Sequence, residues 1–186
     1  MVIAAVAVLA AAEGRAQSFG NKSLGLGLGF LGLNGGDREP VKWAFAATLE
    51  GELYIDSGFQ AYLRIPFMLA HQDCCVADST LRNGEGLVIG TGGQLGVRYM
   101  FLEEAIRPYV GLHLSGLYFA REGETYADGS AVTGNFQFGP GVCAGIDFFV
   151  AESISLGARA FFDLYIVLNA PVRFAGGGNL VVSTYF

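Results

Sequence analysis

The strongest constraint on the fold is a two-residue alternation of apolar side chains with small or polar ones, which recurs through most of the chain. Successive side chains of a β-strand point to opposite faces, so this period predicts strands with one apolar and one polar face. Eight segments carry the pattern: 24–31, 43–56, 59–69, 87–101, 108–119, 136–149, 153–165 and 176–186. The sequence therefore predicts an all-β fold with eight antiparallel strands.

The charged residues within these segments all occupy the small or polar face, and none occupies the apolar face. They are Glu50, Glu52, Arg64, Arg98, Asp147, Arg159 and Asp163. An arginine that faces lipid near the middle of a bilayer costs roughly 2–4 kcal/mol. Three such arginines would cost about 6–12 kcal/mol, comparable to the roughly 5–15 kcal/mol that stabilises a whole domain. The alternation therefore predicts that the apolar face meets lipid and that the charges point inward.

The composition is that of a membrane protein without membrane helices. Hydrophobic residues make up 52% of the 186 residues, the mean hydropathy is +0.43, and only 15% of the residues are charged. Beyond residue 16, however, the chain has no uninterrupted apolar run of the roughly 20 residues that a transmembrane helix needs. A chain that crosses a bilayer with strands must close them into a barrel, because lipid does not tolerate an open sheet edge.

Long and short connections alternate between the predicted strands. Segments 34–42, 70–86, 120–135 and 166–175 are long and mostly polar or turn-rich, whereas segments 56–58, 102–107 and 150–152 are short. Transmembrane barrels have long loops on the extracellular side and short turns in the periplasm. This rhythm predicts an up-and-down transmembrane β-barrel with both chain ends on the periplasmic side.

The N-terminus has the features of a targeting signal. Residues 2–12 form an apolar stretch of signal-peptide length, and small residues, Gly14 and Ala16, precede a cleavage point after Ala16. We therefore expect residues 1–16 to be a signal peptide that is removed, and residues 17–186 to form a single outer-membrane β-barrel domain. No Lys or Arg precedes the apolar stretch, so either the true start lies upstream of Met1 or the signal is atypical. A short buried helix is the alternative interpretation of these residues.

The interior of such a barrel is predicted to be polar and filled. An eight-stranded barrel is just wide enough for side chains to occupy its lumen. The inward charges are three arginines and four carboxylates, and His113 lies on the same face. Because buried charges are costly unless they are paired, we expect these eight residues to form a structural network rather than a permeation path. Inward glycines would make room for the long side chains.

Four stretches carry a family resemblance: residues 107–111 (RPYVG) at the start of a strand, the glycine-alternating stretch 136–149, the strand 154–159 and the C-terminal residues 182–186 (VSTYF). The chain resembles the eight-stranded outer-membrane barrel proteins of the OmpA-transmembrane-domain and OmpX-like superfamily. The resemblance implies a location in the outer membrane of a Gram-negative bacterium, among outer-membrane lipid and lipopolysaccharide. It also implies recognition by the barrel-assembly machinery through an assembly signal formed by Val182, Thr184 and Phe186. We expect a monomer.

The resemblance indicates the fold more strongly than the function, and several functions stay open. The first is a structural or surface-interaction role, in which loops 70–86 and 120–135 meet an unknown extracellular ligand. The alternative is an OmpW-like conduit or binding protein for small hydrophobic molecules, which needs a hydrophobic lumen and a lateral opening. The inward charges argue against it, although Pro66 and Pro140 could break strand pairing locally. A lipid-modifying enzyme and a soluble lipocalin-like barrel, which would need its apolar face inside, are less favoured.

The motifs that would indicate catalysis or a cofactor lack their structural context. Gly27-x-Gly29-x-x-Gly32 matches a dinucleotide fingerprint, but it lies within a strand and its end instead of leading into a helix. His113-x-Ser115 resembles the spacing of barrel lipid A deacylases, but no carboxylate is assigned to orient the histidine. Glu50 and Glu52 are paired carboxylates without a sugar-sized cleft. We therefore predict no enzymatic activity and no cofactor.

The cysteines and the charge balance exclude two further classes. Cys74 and Cys75 are adjacent in loop 70–86 and could form a disulfide in an oxidising compartment. With His71 and Asp73 they make a conceivable metal cluster, but no four-ligand spacing rule is met, so we predict no metal. Cys143 points inward. The chain has 17 acidic and 11 basic residues and no basic cluster, which argues against nucleic acid as a partner.

Overall fold

The computed structural model describes residues 21–34, 41–72, 81–82, 86–102, 105–120, 125–126, 135–166 and 172–186. These residues form ten β-strands. The strands are β1 (Lys22–Asn34), β2 (Val41–Asp56), β3 (Phe59–Gln72), β4 (Leu81–Arg82), β5 (Gly86–Met100), β6 (Ile106–Phe119), β7 (Thr125–Tyr126), β8 (Asn135–Ala151), β9 (Ile154–Tyr165) and β10 (Arg173–Tyr185). No helix in the described ranges is long and apolar enough to cross a membrane.

The eight long strands close into one antiparallel barrel. Each pairs with the next long strand along the chain, from β1 through β2, β3, β5, β6, β8 and β9 to β10, which pairs with β1. The closing pair runs in register from Ser23 opposite Tyr185 to Asn34 opposite Phe174. The predicted eight-stranded antiparallel up-and-down barrel is confirmed, and each predicted segment falls on one barrel strand.

Two short strands lie outside the barrel, and the sequence did not predict them. Leu81 of β4 pairs with Tyr126 of β7, and Arg82 pairs with Thr125. Two residues are too few to display an alternation, which is why no period marked them. This small sheet joins the two long connections 70–86 and 120–135.

The turn between β2 and β3 illustrates the short connections at the opposite end. Ser57 and Gly58 both have positive φ, at 50° and 85°. Two central residues with positive φ are typical of the primed turns whose twist matches a β-hairpin. The Gly58 carbonyl accepts a hydrogen bond of 2.8 Å from the Met100 backbone N–H, which ties this turn to β5.

The side chains have the inside-out distribution of a membrane barrel. Large apolar side chains on the outer face are exposed, such as Leu28 at 72% and Leu180 at 70%. Charged side chains on the inner face are buried, such as Glu50 and Asp163 at 0%. A soluble protein buries its apolar residues and exposes its charges. The structure therefore has the predicted distribution, with apolar side chains on the outer face and charges inside.

The interior has two layers, which the sequence analysis did not anticipate. An apolar cluster fills the half of the lumen nearest the long connections. Its buried members are Leu31, Ala44, Met68, Ala70, Val88, Leu117, Phe119, Tyr165 and Ala175. The charged residues occupy the other half and the middle. The lumen is thus polar over part of its length, because inward positions near the long connections are themselves apolar.

Candidate functional site

All eight residues predicted for the polar network lie inside the barrel and are buried. They come from six strands: Glu50 and Glu52 from β2, Arg64 from β3, Arg98 from β5, His113 from β6, Asp147 from β8, and Arg159 and Asp163 from β9. Successive side chains of a strand alternate between its two faces. The position of each residue along its strand, odd or even, therefore suffices to place these groups in one interior volume. Their contacts divide into three connected groups.

The first group is centred on Glu50. Arg159 donates from Nη1 to Glu50 Oε2 at 2.7 Å and from Nη2 to Glu50 Oε1 at 2.5 Å. Arg64 donates from Nε to Glu50 Oε2 at 3.1 Å. A forked guanidinium–carboxylate contact is among the strongest hydrogen-bonded pairs in proteins. This contact joins β9 to β2 across the interior, and the hydrogen bond from Arg64 connects β3 to the same carboxylate.

The second group is centred on Arg98. Its Nη2 lies 2.7 Å from Glu52 Oε2 and 3.1 Å from Asp147 Oδ2. Its Nε donates to Gln60 Oε1 at 2.6 Å. Ser23 completes the surroundings of Glu52 by donating its hydroxyl hydrogen to Oε2 at 2.9 Å. One arginine therefore links two carboxylates from different strands, and neither is left unpaired.

Tyr109 connects these two groups. Its hydroxyl oxygen accepts a hydrogen bond of 2.6 Å from Arg159 Nε. The guanidinium of Arg98 lies over its ring, 4.3 Å from the centroid. Contacts of this kind between a cation and an aromatic face are favourable by about 2 kcal/mol when desolvated. Tyr109 lies in the RPYVG stretch but was not predicted as part of the network, because only charged residues and histidine were considered for it.

The third group is centred on Asp163, the carboxylate that the sequence could not assign to His113. His113 Nε2 lies 2.5 Å from Asp163 Oδ1, and its Nδ1 lies 2.8 Å from the Tyr62 hydroxyl. Asp163 Oδ2 accepts hydrogen bonds from the Tyr165 hydroxyl at 2.8 Å and from Gln94 Nε2 at 3.1 Å. Through Gln94, which also accepts from Arg64 Nη1 at 2.8 Å, this group joins the first.

Ser115 does not complete a Ser–His–Asp arrangement. Its hydroxyl lies 2.6 Å from the Tyr165 hydroxyl, whereas both ring nitrogens of His113 contact Tyr62 and Asp163. A serine nucleophile needs the histidine within hydrogen-bond reach to take its proton. The two residues of the His-x-Ser motif therefore belong to one buried polar network without forming a catalytic pair.

Arg107 is a buried charge that the sequence analysis left out of the network. It lies on the inner face of β6, and its guanidinium is 4.4 Å from the centroid of the Phe149 ring. The Phe149 ring in turn lies 4.9 Å from the Tyr185 ring. Arg107 shares its parity with Tyr109 and His113, and that signal could have found it. The buried charges of the described residues then balance as four arginines against four carboxylates.

Inward glycines leave the space that the long side chains occupy. A Cβ on Gly145 would overlap the Tyr109 hydroxyl, and one on Gly157 would overlap the Asp147 carboxylate. A Cβ on Gly141 would overlap both the Asp163 carboxylate and the His113 ring. A side chain at any of these positions would therefore displace a group of the network.

The remaining predicted positions are distributed as follows. Val182, Thr184 and Phe186 all lie exposed on the outer face at the end of the chain. The glycine motif of residues 27–32 lies within β1, which continues as a strand to Asn34. Residues 1–16, Asp73, Cys74 and Cys75 are outside the described residues, as is the side chain of His71.

Cys143 is the inward cysteine predicted from the sequence. It is buried, and its Sγ lies 3.4 Å from the Tyr62 hydroxyl. Within the described ranges, no group of three or more His, Cys, Asp or Glu residues is arranged to hold a metal ion. Cys143 is thus part of the buried surroundings of Tyr62 and His113.

Comparison with known proteins agrees with this architecture. The sequence model of the family described as outer membrane protein beta-barrel domain matches residues 1–161. Neisserial surface protein A, from Neisseria, has a similar structure with a TM-score of 0.64 and 12% identity, covering 91% of this chain and 99% of that one. OprG from Pseudomonas aeruginosa has a TM-score of 0.60 and 10% identity, covering 90% and 97%.

The attachment invasion locus protein Ail of Yersinia pestis is a third similar structure. Its TM-score is 0.54 and its identity 11%, with 89% of this chain and 97% of that chain covered. The comparison with curated proteins gave no sequence match. At these identities the structural likeness concerns the fold.

Proposed function

The chain belongs to the outer membrane protein beta-barrel domain family. On that premise, we propose that its barrel is a rigid scaffold with a plugged lumen and that its extracellular loops carry the binding function. It is an integral protein of the Gram-negative outer membrane. The proposal has two parts: the lumen is structural and passes no solute, and the loops 70–86 and 120–135 bind a partner outside the cell. It also assigns the chain no enzymatic activity.

The observation that carries the first part is the continuity of the interior network. Hydrogen bonds connect Ser23 on β1 with Glu52, Arg98 and Asp147, and a second set connects Glu50 with Asp163 through Gln94. The cavity that adjoins this network measures about 20 Å³, the space of a single water molecule. Barrels with an aqueous channel have about 16–18 strands, twice the number here.

The second part is supported by the pairing of β4 with β7. This pairing links the two longest connections, so a partner would meet both at once. Binding residues are commonly found on loops held by a rigid scaffold, and a barrel locked by buried ion pairs is such a scaffold. The joined connections would therefore act as one surface.

The charge of these connections indicates the kind of partner. Together they contain six carboxylates and two arginines: Asp73, Asp78, Arg82, Glu85, Arg121, Glu122, Glu124 and Asp128. A structure of Ail has been determined with the heparin analogue sucrose octasulfate. An acidic surface repels such polyanions at long range, so we expect a neutral or basic partner here.

Loop replacement tests the proposal. Residues 73–80 and 127–134 are replaced, separately and together, by Gly-Ser linkers of equal length, and cells carrying each variant are tested for binding to immobilised basic and sulfated ligands. We expect each replacement to abolish binding to the basic ligand while the barrel keeps its heat-dependent mobility on gels. Binding that survives the double replacement would contradict the assignment to the loops.

Liposome swelling tests the lumen independently. We expect proteoliposomes containing the purified barrel to swell in arabinose no faster than protein-free liposomes. Swelling at a rate proportional to the amount of protein would contradict the plug. Since the two experiments measure different parts of the molecule, either part of the proposal can fail alone.

The apolar layer of the lumen favours one second candidate, a conduit or binding protein for small hydrophobic molecules. Leu31, Leu117 and Phe119 are among the residues that line this layer. The β3–β5 pairing skips from Arg64 to Phe67, next to Pro66. The continuous β8–β9 pairing begins at Gly141, next to Pro140. This candidate predicts saturable binding of an apolar fluorophore that Leu117→Lys abolishes, whereas the scaffold with a plugged lumen predicts no saturable binding.

A further inference from the structure

Several buried side-chain polar atoms of the described residues have no hydrogen-bond partner, and two of them, Arg64 Nη2 and Asn179 Oδ1, belong to residues that line one interior cavity. The two side chains are 2% and 6% exposed, respectively. Their other polar atoms are engaged, since Arg64 donates to Glu50 and Gln94, and Asn179 Nδ2 donates to Thr48 Oγ1 at 3.4 Å. A buried polar group without a partner is unfavourable, and more so when it is charged. We therefore expect each of the two atoms to have a hydrogen-bond partner that is not a protein atom.

Arg64 and Asn179 line the same interior cavity, whose volume is about 20 Å³. A water molecule needs about 10–15 Å³ of such space and two to four polar partners. The volume suits one water and excludes a larger solute. The chemistry is complementary, because a guanidinium N–H donates a hydrogen bond and an amide oxygen accepts one.

At the height of the cavity, β1 presents a glycine to the interior. Arg64 lies on β3 and Asn179 on β10, and β2 and β1 separate these two strands in the barrel wall. Gly29 of β1 lines the cavity, and a Cβ there would overlap the Gly178 carbonyl. Gly29 therefore has no side chain to bridge the two polar atoms, and Leu31, the other inward β1 residue that lines the cavity, is apolar.

The charges around the cavity favour a neutral ligand over an anion. Arg64 already donates to the Glu50 carboxylate, and Asp163 also lines the cavity. A chloride ion would lie close to this second carboxylate, in an interior whose four buried arginines are already matched by four buried carboxylates. Burying such a charge is costly, whereas water carries none.

We propose that this cavity is a binding site for one ordered water molecule, which accepts a hydrogen bond from Arg64 Nη2 and donates one to Asn179 Oδ1. The water takes the place of a β1 side chain and extends the polar network from β3 to β10. Water held in this way by several buried polar groups is part of the structure and costly to remove.

A crystal structure of the full-length protein, from crystals grown in sodium bromide, tests the proposal. We expect a solvent density peak within hydrogen-bond distance of both atoms and no anomalous bromide signal at that position. In crystals of the Asn179→Leu variant the peak should disappear, whereas Asn179→Asp, which keeps an acceptor oxygen, should retain it. An empty cavity in the wild-type protein, or a direct Arg64–Asn179 contact, would overturn the proposal. A bromide peak would identify an anion site instead and would overturn it as well.

If Asn179→Leu does not fold, the wild-type protein in lipid nanodiscs provides the second measurement. We expect nuclear Overhauser cross-peaks between water and the Asn179 side-chain amide protons that persist on the timescale of a buried molecule. Their absence, with the Asn179 amide resonances assigned, would count against a bound water.

Discussion

Arg159 and Glu50 face each other through two parallel hydrogen bonds, from Nη1 to Oε2 at 2.7 Å and from Nη2 to Oε1 at 2.5 Å. The two residues lie on β9 and β2, which β10 and β1 separate in the barrel wall. Both side chains are buried. Such a pair is stable only as a pair, because removing one partner leaves an uncompensated charge in a medium that solvates it poorly.

We expect Glu50→Gln to lower the free energy of unfolding by about 3–5 kcal/mol, the range measured when one partner of a buried ion pair is removed. The amide cannot neutralise Arg159 or Arg64, both of which donate to the Glu50 carboxylate. Urea unfolding in detergent micelles measures the change. The single tryptophan, Trp43, is exposed on the outer face, so its fluorescence reports the transfer from detergent to water.

The matched control for this variant is Glu152→Gln. Glu152 is exposed in the turn between β8 and β9, and neutralising it should change the unfolding free energy by less than about 0.5 kcal/mol. Equal midpoints for Glu50→Gln and Glu152→Gln would mean that the interior network does not stabilise the barrel.

The second prediction concerns the space around Tyr109. Gly145→Ala should destabilise the barrel by about 1–3 kcal/mol, because the added Cβ would overlap the Tyr109 hydroxyl and lie 2.6 Å from the Ala158 carbonyl oxygen. Gly93→Ala is the control, since a Cβ there would have no neighbour within 4 Å. Urea midpoints of the two variants provide the comparison.

A double-mutant cycle identifies the cause of the Gly145→Ala effect. Tyr109→Phe removes the hydroxyl that the new Cβ would overlap, so the double variant should be less destabilised than the sum of the single variants. Strict additivity would place the clash at atoms that Tyr109→Phe keeps, either the ring carbon Cζ, 2.5 Å from the new Cβ, or the Ala158 carbonyl oxygen.

Parity explains why so much of this site could be predicted from the sequence. A strand that separates lipid from a packed lumen must keep its charges on one face, so each charge could be assigned to the interior one residue at a time. Arg107 was missed because it is the second residue of β6, at a position that was counted with the preceding turn 102–107.

Pairing within the interior depends on a different property, the stagger between strands around the closed barrel. The sequence assigns His113 and Asp163 to the interior, but 50 residues separate them and no local pattern indicates that they meet. The apolar layer was missed for another reason. Leu31 follows an outward Phe30, so both faces are apolar there and the alternation disappears. The two-residue strands β4 and β7 carry no period at all.

The third prediction tests the absence of lipid-modifying activity. Ser115 contacts Tyr165 and not His113, so the pair lacks the proton transfer that a serine nucleophile needs. We expect mass spectra of lipid A from an expressing host to match those of the host with an empty vector. A loss of an acyl chain that His113→Ala abolishes would contradict this and would identify the Asp163–His113 pair as catalytic.

The last two residues of the chain, Tyr185 and Phe186, point to opposite faces of the barrel wall. Phe186 is 61% exposed on the outer face, and its backbone N–H and carbonyl pair with Lys22. Tyr185 points inward, where its ring lies 4.9 Å from the Phe149 ring and its hydroxyl lies 3.4 Å from Glu52 Oε2. We therefore predict that the outer side chain acts in recognition during assembly, while the inner one takes part in packing.

The fourth prediction follows from this separation. Phe186→Ser should reduce the amount of folded barrel in outer membranes several-fold, yet leave the urea midpoint of refolded protein unchanged, because the backbone pairing with Lys22 does not need the ring. Tyr185→Phe should have the opposite effect: near-normal amounts in the membrane and an unfolding free energy lower by about 1 kcal/mol, through the lost hydrogen bond to Glu52. Quantitative blots of membrane fractions and urea titrations of the same variants measure the two properties. A lowered midpoint for Phe186→Ser would show that its ring stabilises the barrel, and the assembly signal would then lose its support.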